Sequence, residues 1–303
     1  MPYTTPVDFY KFVSAFFQNL KMKLNMKRLI YFSLLACITI YMGCKPESIT
    51  SINSSALTED EKSLVAAAGF NANWAEKTKE GLFLIENDIL LSKAELESLS
   101  LELPAHNFII ANEEHYRTTN VVSTPATGQR VITVSLGSGF PSYYSTGLDQ
   151  ALARYNSLNL TIRFERVASR GNIEITGSNL GTTSTGGCIL GRASGFPSRN
   201  GNPSRGFTLS TSSCATSYLN SADKADEVMA HEIGHCIGFR HTDYMNRSSC
   251  GQNSNEGDAG VGAIHIPGTP TTVTGSYNSW MMACTNGSPA FTTVDNDALI
   301  YVY

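Results

Sequence analysis

A chain of 303 residues that is 42% hydrophobic carries enough apolar material for one large packed core or two modest ones, which excludes a disordered polymer. Its formal net charge of -4, with 16% charged residues and no basic stripe after residue 45, excludes a nucleic-acid surface built on clustered Lys and Arg. The polar residues are mainly Ser, Thr, Asn and Gly, a mix that suits a neutral, loop-rich surface outside the cytoplasm.

Targeting chemistry comes first along the chain. Lys21, Lys23, Lys27 and Arg28 precede the apolar stretch 29–43, the order of the positive and hydrophobic regions of a secretory signal. The stretch falls short of the roughly 20 residues that a membrane-spanning helix needs, so a cleaved signal is expected over a permanent anchor. It ends Tyr41-Met42-Gly43-Cys44, which resembles the lipobox of bacterial lipoproteins and makes Cys44 the candidate lipidation site. Tyr41 and Met42 depart from the usual Leu and small residue there, and plain secretion is the alternative. Met26-Lys27-Arg28 reads as a natural start, so residues 1–25 are given no function and 1–44 are upstream residues plus signal.

Residues 45–116 form a candidate prosegment, with a helical run at 58–69 and an acidic helical pattern at 91–103 that Pro104 ends. Composition shifts at Arg117-Thr118-Thr119-Asn120, which places the start of a catalytic domain, 117–303. Residues 130–136 (RVITVSL) alternate as a strand does. Between 145 and 158, Leu148, Ala151, Leu152 and Tyr155 recur at spacings of three and four and so share one helix face. Strands are expected at 160–167, 172–176 and 206–211, with a Gly- and Ser-rich passage before the last, and a second helix from Asp223. That order reads as an α+β or α/β layer, one sheet with a long helix packed beneath it.

Residues 231–241 read HEIGHCIGFRH. On a helix, residues four apart lie about 5–6 Å from each other on one face, so His231 and His235 can aim imidazole nitrogens at one zinc ion. Gly238 can take the positive φ that ends a helix, letting His241 approach the same ion from another direction. Three ligands leave a fourth position for water, and Glu232, next to the first ligand, reaches that water as a general base.

The pattern HExxHxxGxxH resembles the metzincin clan of zinc peptidases, and HEIGHCIGFRHTDY resembles the bacterial dual-action HEIGH metallopeptidases. The resemblance covers about 117–303. It implies an α+β metzincin-like zincin fold: a mixed, mostly parallel sheet, an active-site helix, a small irregular C-terminal lobe and a final helix at 292–301. It further implies one catalytic Zn2+ on His231, His235 and His241, with Glu232 as base. A methionine turn is implied at Ser279-Trp280-Met281-Met282-Ala283, where Met281 best fits the pattern and Met282 is the alternative. Ala283 or Cys284 stands where some metzincins place a tyrosine ligand, so none is expected. The Gly- and Thr-rich passage 182–187 is where the resemblance lays an extended substrate along the sheet edge, with an ordinary loop as the alternative.

In an exported protein the cysteines at 188, 214, 236, 250 and 284 favour disulfides with one thiol left over. Cys188 with Cys214 would close the passage before the active helix, and Cys250 with Cys284 would tie the loop after His241 to the methionine turn. Cys236 reads as a buried thiol. Asn253, Asn255, Glu256 and Asp258, near His265, are dense in oxygen donors but match no calcium loop. A solvated loop is expected there, and a structural Ca2+ stays unsupported. If the prosegment caps the metal, it has no cysteine for the task, and a carboxylate such as Glu113 or Glu114 is the candidate. An accessory domain or stalk is the alternative reading of 45–116, and His106 and His115 are given no catalytic role.

The expected activity is zinc-dependent endopeptidase cleavage of protein or peptide substrates by a monomer outside the cytoplasm. The protein would be an outer-membrane or cell-surface lipoprotein, touching the membrane only through lipid on Cys44, or a freely secreted enzyme. Two alternatives stay open: a non-catalytic surface lipoprotein that binds a partner, and a zinc amidase acting on cell-wall peptides. An intact Glu232 speaks against the first, since a binding module has no need of the base.

Overall fold

The computed structural model describes residues 55–100, 115–183, 186–257, 262–270, 278–285, 287 and 290–303, all within the unit Ser51–Tyr303. Cys44, His106, Glu113, Glu114 and Asp258 lie outside the described residues. Thr58 opens helix α1 (Glu59–Ala67) through a capping box with Glu61. Three short strands follow, β1 (Ala75–Lys77), β2 (Phe83–Ile85) and β3 (Ile89–Leu91), then helix α2 (Lys93–Ser100). Next come β4 (Tyr116–Arg117), β5 (Arg130–Leu136), α3 (Ser142–Asn156), β6 (Ile162–Val167), β7 (Ile173–Ser178), β8 (Gly191–Ala193) and β9 (Gly206–Ser210). The chain continues through α4 (Ser213–Tyr218), α5 (Ala222–Ile237), β10 (Ile264–His265) and α6 (Thr293–Val302). Among the described residues no helix is long and apolar enough to cross a membrane.

The main sheet runs β1-β2-β3-β8-β9-β7-β5-β6, mixed and mostly parallel, and β10 pairs with β4 in a separate two-stranded ribbon. The period-two pattern of β5 buries Ile132 and Val134 and exposes Val131. Strands β5 and β6 are parallel neighbours, so α3 is the crossover between them. Helix α3 begins at Ser142, earlier than the 145 expected, because Pro141 supplies a preset φ of -55° at the N-cap. It buries Leu148, Ala151, Leu152 and Tyr155 against α5 and the sheet. Gly147 makes the helix crossing close: a Cβ there would sit 2.8 Å from Ala225 Cβ. The acidic helix α2 starts at Lys93 instead of 91 because Leu91 pairs with Phe83 in the β2–β3 hairpin.

One core joins α3, α5, α6 and the sheet, and a second gathers Val65, Phe70, Phe83, Ile85, Ile89 and Leu96 from the N-terminal segment. The two regions share the sheet, because β3 pairs in parallel with β8 through Ile89 and Ala193. Strands from the candidate prosegment therefore extend the sheet of the segment 117–303. After α5 the chain is largely irregular. Cys188 is bonded to Cys214 and Cys250 to Cys284, and Cys236 is a free buried thiol.

Candidate metal centre

Helix α5 fixes two of the three histidines. Ser221 caps it by accepting a hydrogen bond from Lys224 N–H, and Gly238 ends it in the left-handed region at φ 111°. Beyond Gly238 the chain doubles back, with Arg240 N–H donating to Tyr116 O, and returns His241 to the same face. The ring centroids of His231, His235 and His241 lie 4.8, 4.9 and 5.4 Å from one another. Each Nδ1 is engaged on the far side: His231 with Trp280 O at 2.8 Å, His235 with Phe239 O at 2.9 Å, and His241 with Glu256 Oε1 at 2.8 Å. A neutral imidazole that donates from Nδ1 presents a lone pair at Nε2, so three donors converge on one point.

The chemistry of that point fits a zinc ion. Nε2 of His235 and of His241 are buried without a hydrogen-bond partner, as is Oε2 of Glu232. Burial pushes His235 down to about 4, keeping it neutral and able to ligate. Burial also opposes charge on His241, but Asp88 and Glu256 outweigh it and hold that imidazole well above its ordinary value. The site calls for positive charge, which a proton or a metal ion supplies in competition. Three imidazole nitrogens and an oxygen within 4.8 Å of one another form a zinc-type donor set.

That oxygen belongs to Asp88, at the turn of the β2–β3 hairpin. Its Oδ2 lies 2.6 Å from His241 Nε2, 3.4 Å from His235 Nε2 and 3.8 Å from His231 Nε2. Burial opposes its ionisation, but the charge of His241 and the approach of all three imidazoles hold its carboxyl well below the usual range. The turn is tight: Glu86 and Asn87 take φ of 57° and 69°, and Ile85 pairs directly with Ile89. Glu86 anchors it, accepting from Arg240 Nη2 at 2.5 Å while its backbone carbonyl accepts from Arg247 Nη1. The candidate carboxylates Glu113 and Glu114 fall outside the described residues, and among the described residues Asp88 brings a carboxylate oxygen toward all three histidines.

Glu232 is buried beside them. Burial, then the like charge of Asp88, push Glu232 well above the ordinary carboxylate range. Gly191 makes room for it, because a Cβ there would sit 2.9 Å from Glu232 Cδ. Met281 is fully buried against α5, whereas Met282 lines the cleft. Gly234 admits the turn that carries Trp280 and Met281, since a Cβ there would collide with Met281 Sδ and lie 3.0 Å from Trp280 Nε1. The turn also sets two site residues, through Trp280 O on His231 and Met281 O accepting from Thr242 N–H. Ala283 N–H donates to Asp243, and Cys284 is in its disulfide.

A cleft of about 300 Å³ opens beside the histidines, lined by Thr183, Gly191, Glu227, His231, Glu232 and Met282 among others. Thr182 pairs with Cys188, and β8 lies beside the histidine helix, where Gly191 faces Glu232. The expected solvated loop around Glu256 is corrected in part. Glu256 is fully buried, accepting a hydrogen bond from His241 Nδ1–H and pairing with Arg247. Burial opposes its ionisation, but His241, Arg247 and Arg240 hold its carboxyl down to about 2. His265 bonds Thr269 locally, and His115 pairs with Asp295 at 2.6 Å.

Sequence reasoning missed Asp88, Glu256, Gly191 and Gly234. The signal for Asp88 is an acidic turn, Glu86-Asn87-Asp88, set between the apolar triplets FLI and ILL. Gly234 stands inside the HEIGH motif itself, in a helix interior where glycine is unfavourable without a packing reason.

A family model described as dual-action HEIGH metallo-peptidase matches residues 83–303. No curated protein matches the chain. Among solved structures, it is similar to a crystal structure of myroilysin, at 17% identity and a TM-score of 0.33, over 67% of this chain and 98% of that one. A second myroilysin structure aligns at 21% identity and a TM-score of 0.34, over 60% and 97%. High choriolytic enzyme 1, a hatching enzyme zinc-protease from Oryzias latipes (medaka fish), aligns at 14% identity and a TM-score of 0.36, over 60% and 93%. The family match runs from the β2–β3 hairpin through the last helix, and the chain belongs to the dual-action HEIGH metallo-peptidases, as a zinc metallopeptidase acting on proteins or peptides.

Proposed function

We propose that this metallopeptidase is an exported endopeptidase in a latent form. In this reading His231, His235 and His241 are its zinc ligands, Glu232 is its general base and Asp88 stands in the fourth ligand position. The observation that carries the reading is the convergence of three Nδ1-engaged imidazoles on one point beside a buried carboxylate with an unpartnered oxygen. When bound there, zinc supplies the Lewis acidity that makes a water acidic near pH 7 and polarises a substrate carbonyl.

The residues supply the rest. Glu232, beside the histidines at the cleft, takes the proton of the attacking water and returns it to the departing amine. Gly191 leaves room for its carboxylate at the cleft wall. Asp88 takes the position that the water needs, and the hairpin behind it lies along β8, where an extended substrate would add as a strand. Both features support latency. Two disulfides support folding in an oxidising compartment, in line with a cleaved signal and with Cys44 as a lipid site. The enzyme is read as a monomer.

The test measures zinc content and cleavage of denatured casein by the chain after limited proteolysis, with Glu232→Gln processed identically. The expected result is about one zinc in each, with cleavage only by the wild type. A processed, zinc-loaded wild type that cleaves nothing moves the reading to an amidase acting on cell-wall peptides or to a partner-binding protein.

A further inference from the structure

The three imidazoles do not have equivalent partners. His231 and His235, both on α5, donate from Nδ1–H to the neutral backbone carbonyls of Trp280 and Phe239. His241, the ligand that lies beyond the helix on a turn, donates to the carboxylate of Glu256. Both members of that pair are 0% exposed. A carboxylate so deeply buried is costly unless it is neutralised and hydrogen-bonded. Here Arg247 Nη1 donates to Oε1, and the charge of Arg240 lies 3.8 Å from Oε2.

The backbone of Glu256 is held as firmly as its side chain. Its N–H donates to Tyr244 O at 2.9 Å, and its carbonyl accepts from Asn71 N–H at 3.0 Å. Asn71 Nδ2 donates to the neighbouring carbonyl of Asn255, and Trp74 Nε1 donates to Ser254 Oγ. Glu86 also comes within 3.9 Å of His241 Nδ1, but its hydrogen bond goes to Arg240. Among the described residues, the carboxylates recorded near His241 Nδ1 are Glu256, at 2.8 Å, and Glu86, at 3.9 Å.

We infer that Glu256 is a positioning residue for the third metal ligand. It accepts a hydrogen bond from His241 Nδ1–H, fixes the tautomer that leaves Nε2 as a lone pair toward the metal, and makes this imidazole a stronger donor than the other two. The inference rests on the zinc reading of the histidine cluster. The reason lies in where the ligands sit. Helix α5 and two backbone carbonyls orient His231 and His235, whereas the ligand on the turn is held by a side-chain carboxylate, and an anionic acceptor adds basicity that a carbonyl cannot.

The test uses the full chain. Zinc dissociation constants are measured at one pH by competition with a chromophoric chelator for wild type, Glu256→Gln, Glu256→Ala and His231→Ala, and the thermal midpoint of each metal-free protein is recorded. Glu256→Ala is expected to bind zinc about 10- to 100-fold more weakly than wild type, and Glu256→Gln, which keeps an acceptor but not the charge, to fall between them. A purely structural role would lower the metal-free midpoint and leave the affinity of the folded protein unchanged.

A second measurement needs no variant. In zinc-loaded wild type with labelled histidines, the Nδ1 proton of His241 should resonate downfield of those of His231 and His235, and it decides the matter if the substituted chains do not fold. Unchanged affinity in folded Glu256→Ala, or three Nδ1 protons at one shift, overturns the role of Glu256 while His231→Ala still loses zinc. A folded wild type that takes up no zinc brings down the metal reading and this inference together.

Discussion

Asp88→Asn removes a charge while keeping the shape of the side chain, and so isolates what the carboxylate contributes to latency. Its oxygen reaches all three histidines, 2.6 Å from the nearest, and contacts of this charged kind contribute about 1.5–3 kcal/mol each. Losing one such contact shifts the balance between covered and open site by roughly 10- to 100-fold. Full activation is not expected, because Glu86 stays paired with Arg240 and β3 stays on β8. Two assays read the change in the unprocessed chain: basal hydrolysis of a fluorogenic peptide, and the visible absorption of the cobalt-substituted protein. The basal rate should rise within that range, and the cobalt bands should move as the carboxylate leaves the coordination sphere. A folded, metal-loaded Asp88→Asn with wild-type rate and wild-type bands would refute the reasoning. Shifted bands with an unchanged rate would assign latency to strand pairing alone.

Gly191→Ala places a Cβ 2.9 Å from Glu232 Cδ and so displaces the base. The processed variant should lose at least about 100-fold in kcat with zinc content unchanged, and retained activity would contradict the role given to Glu232. Gly234→Ala drives a Cβ into Met281, an overpacking cost of about 1–3 kcal/mol against about 1 kcal/mol gained in helix propensity. Its thermal midpoint should fall by a few degrees, and a rise would show that Met281 yields without strain. Chelation should lower the thermal midpoint reversibly, since metal at 100 times its dissociation constant adds about 2.7 kcal/mol of stability. Identical midpoints with and without chelator would mean that the histidine cluster holds no ion.

The parts of the site that were legible in the sequence are those fixed by local geometry. Helical spacing puts His231 and His235 on one face, and Gly238 has the conformation that its place in the motif predicts. The period-two pattern of β5 and the three- and four-residue spacing in α3 gave those elements to within a turn. What was not legible depends on contacts between distant segments. Strands β2, β3 and β8 are three residues each, too short for alternation to show, so the hairpin that extends the sheet went unread. Glu256 sits in a polar, Gly-rich passage, and its buried role exists only because Arg247, Arg240 and His241 are folded around it. Gly191 is an unremarkable glycine until the helix brings Glu232 alongside it.

The hairpin that carries Asp88 belongs to a segment with its own apolar core and its own strand in the sheet. Cutting the chain downstream of that hairpin severs a covalent bond but none of these contacts. What changes is molecularity: a tethered occupant at high effective concentration becomes a separate fragment whose departure depends on dilution. If the site is latent as proposed, activation has two stages, a cut and a dissociation. The freshly cut enzyme should then wake with a lag, and more completely in dilute solution than in concentrated.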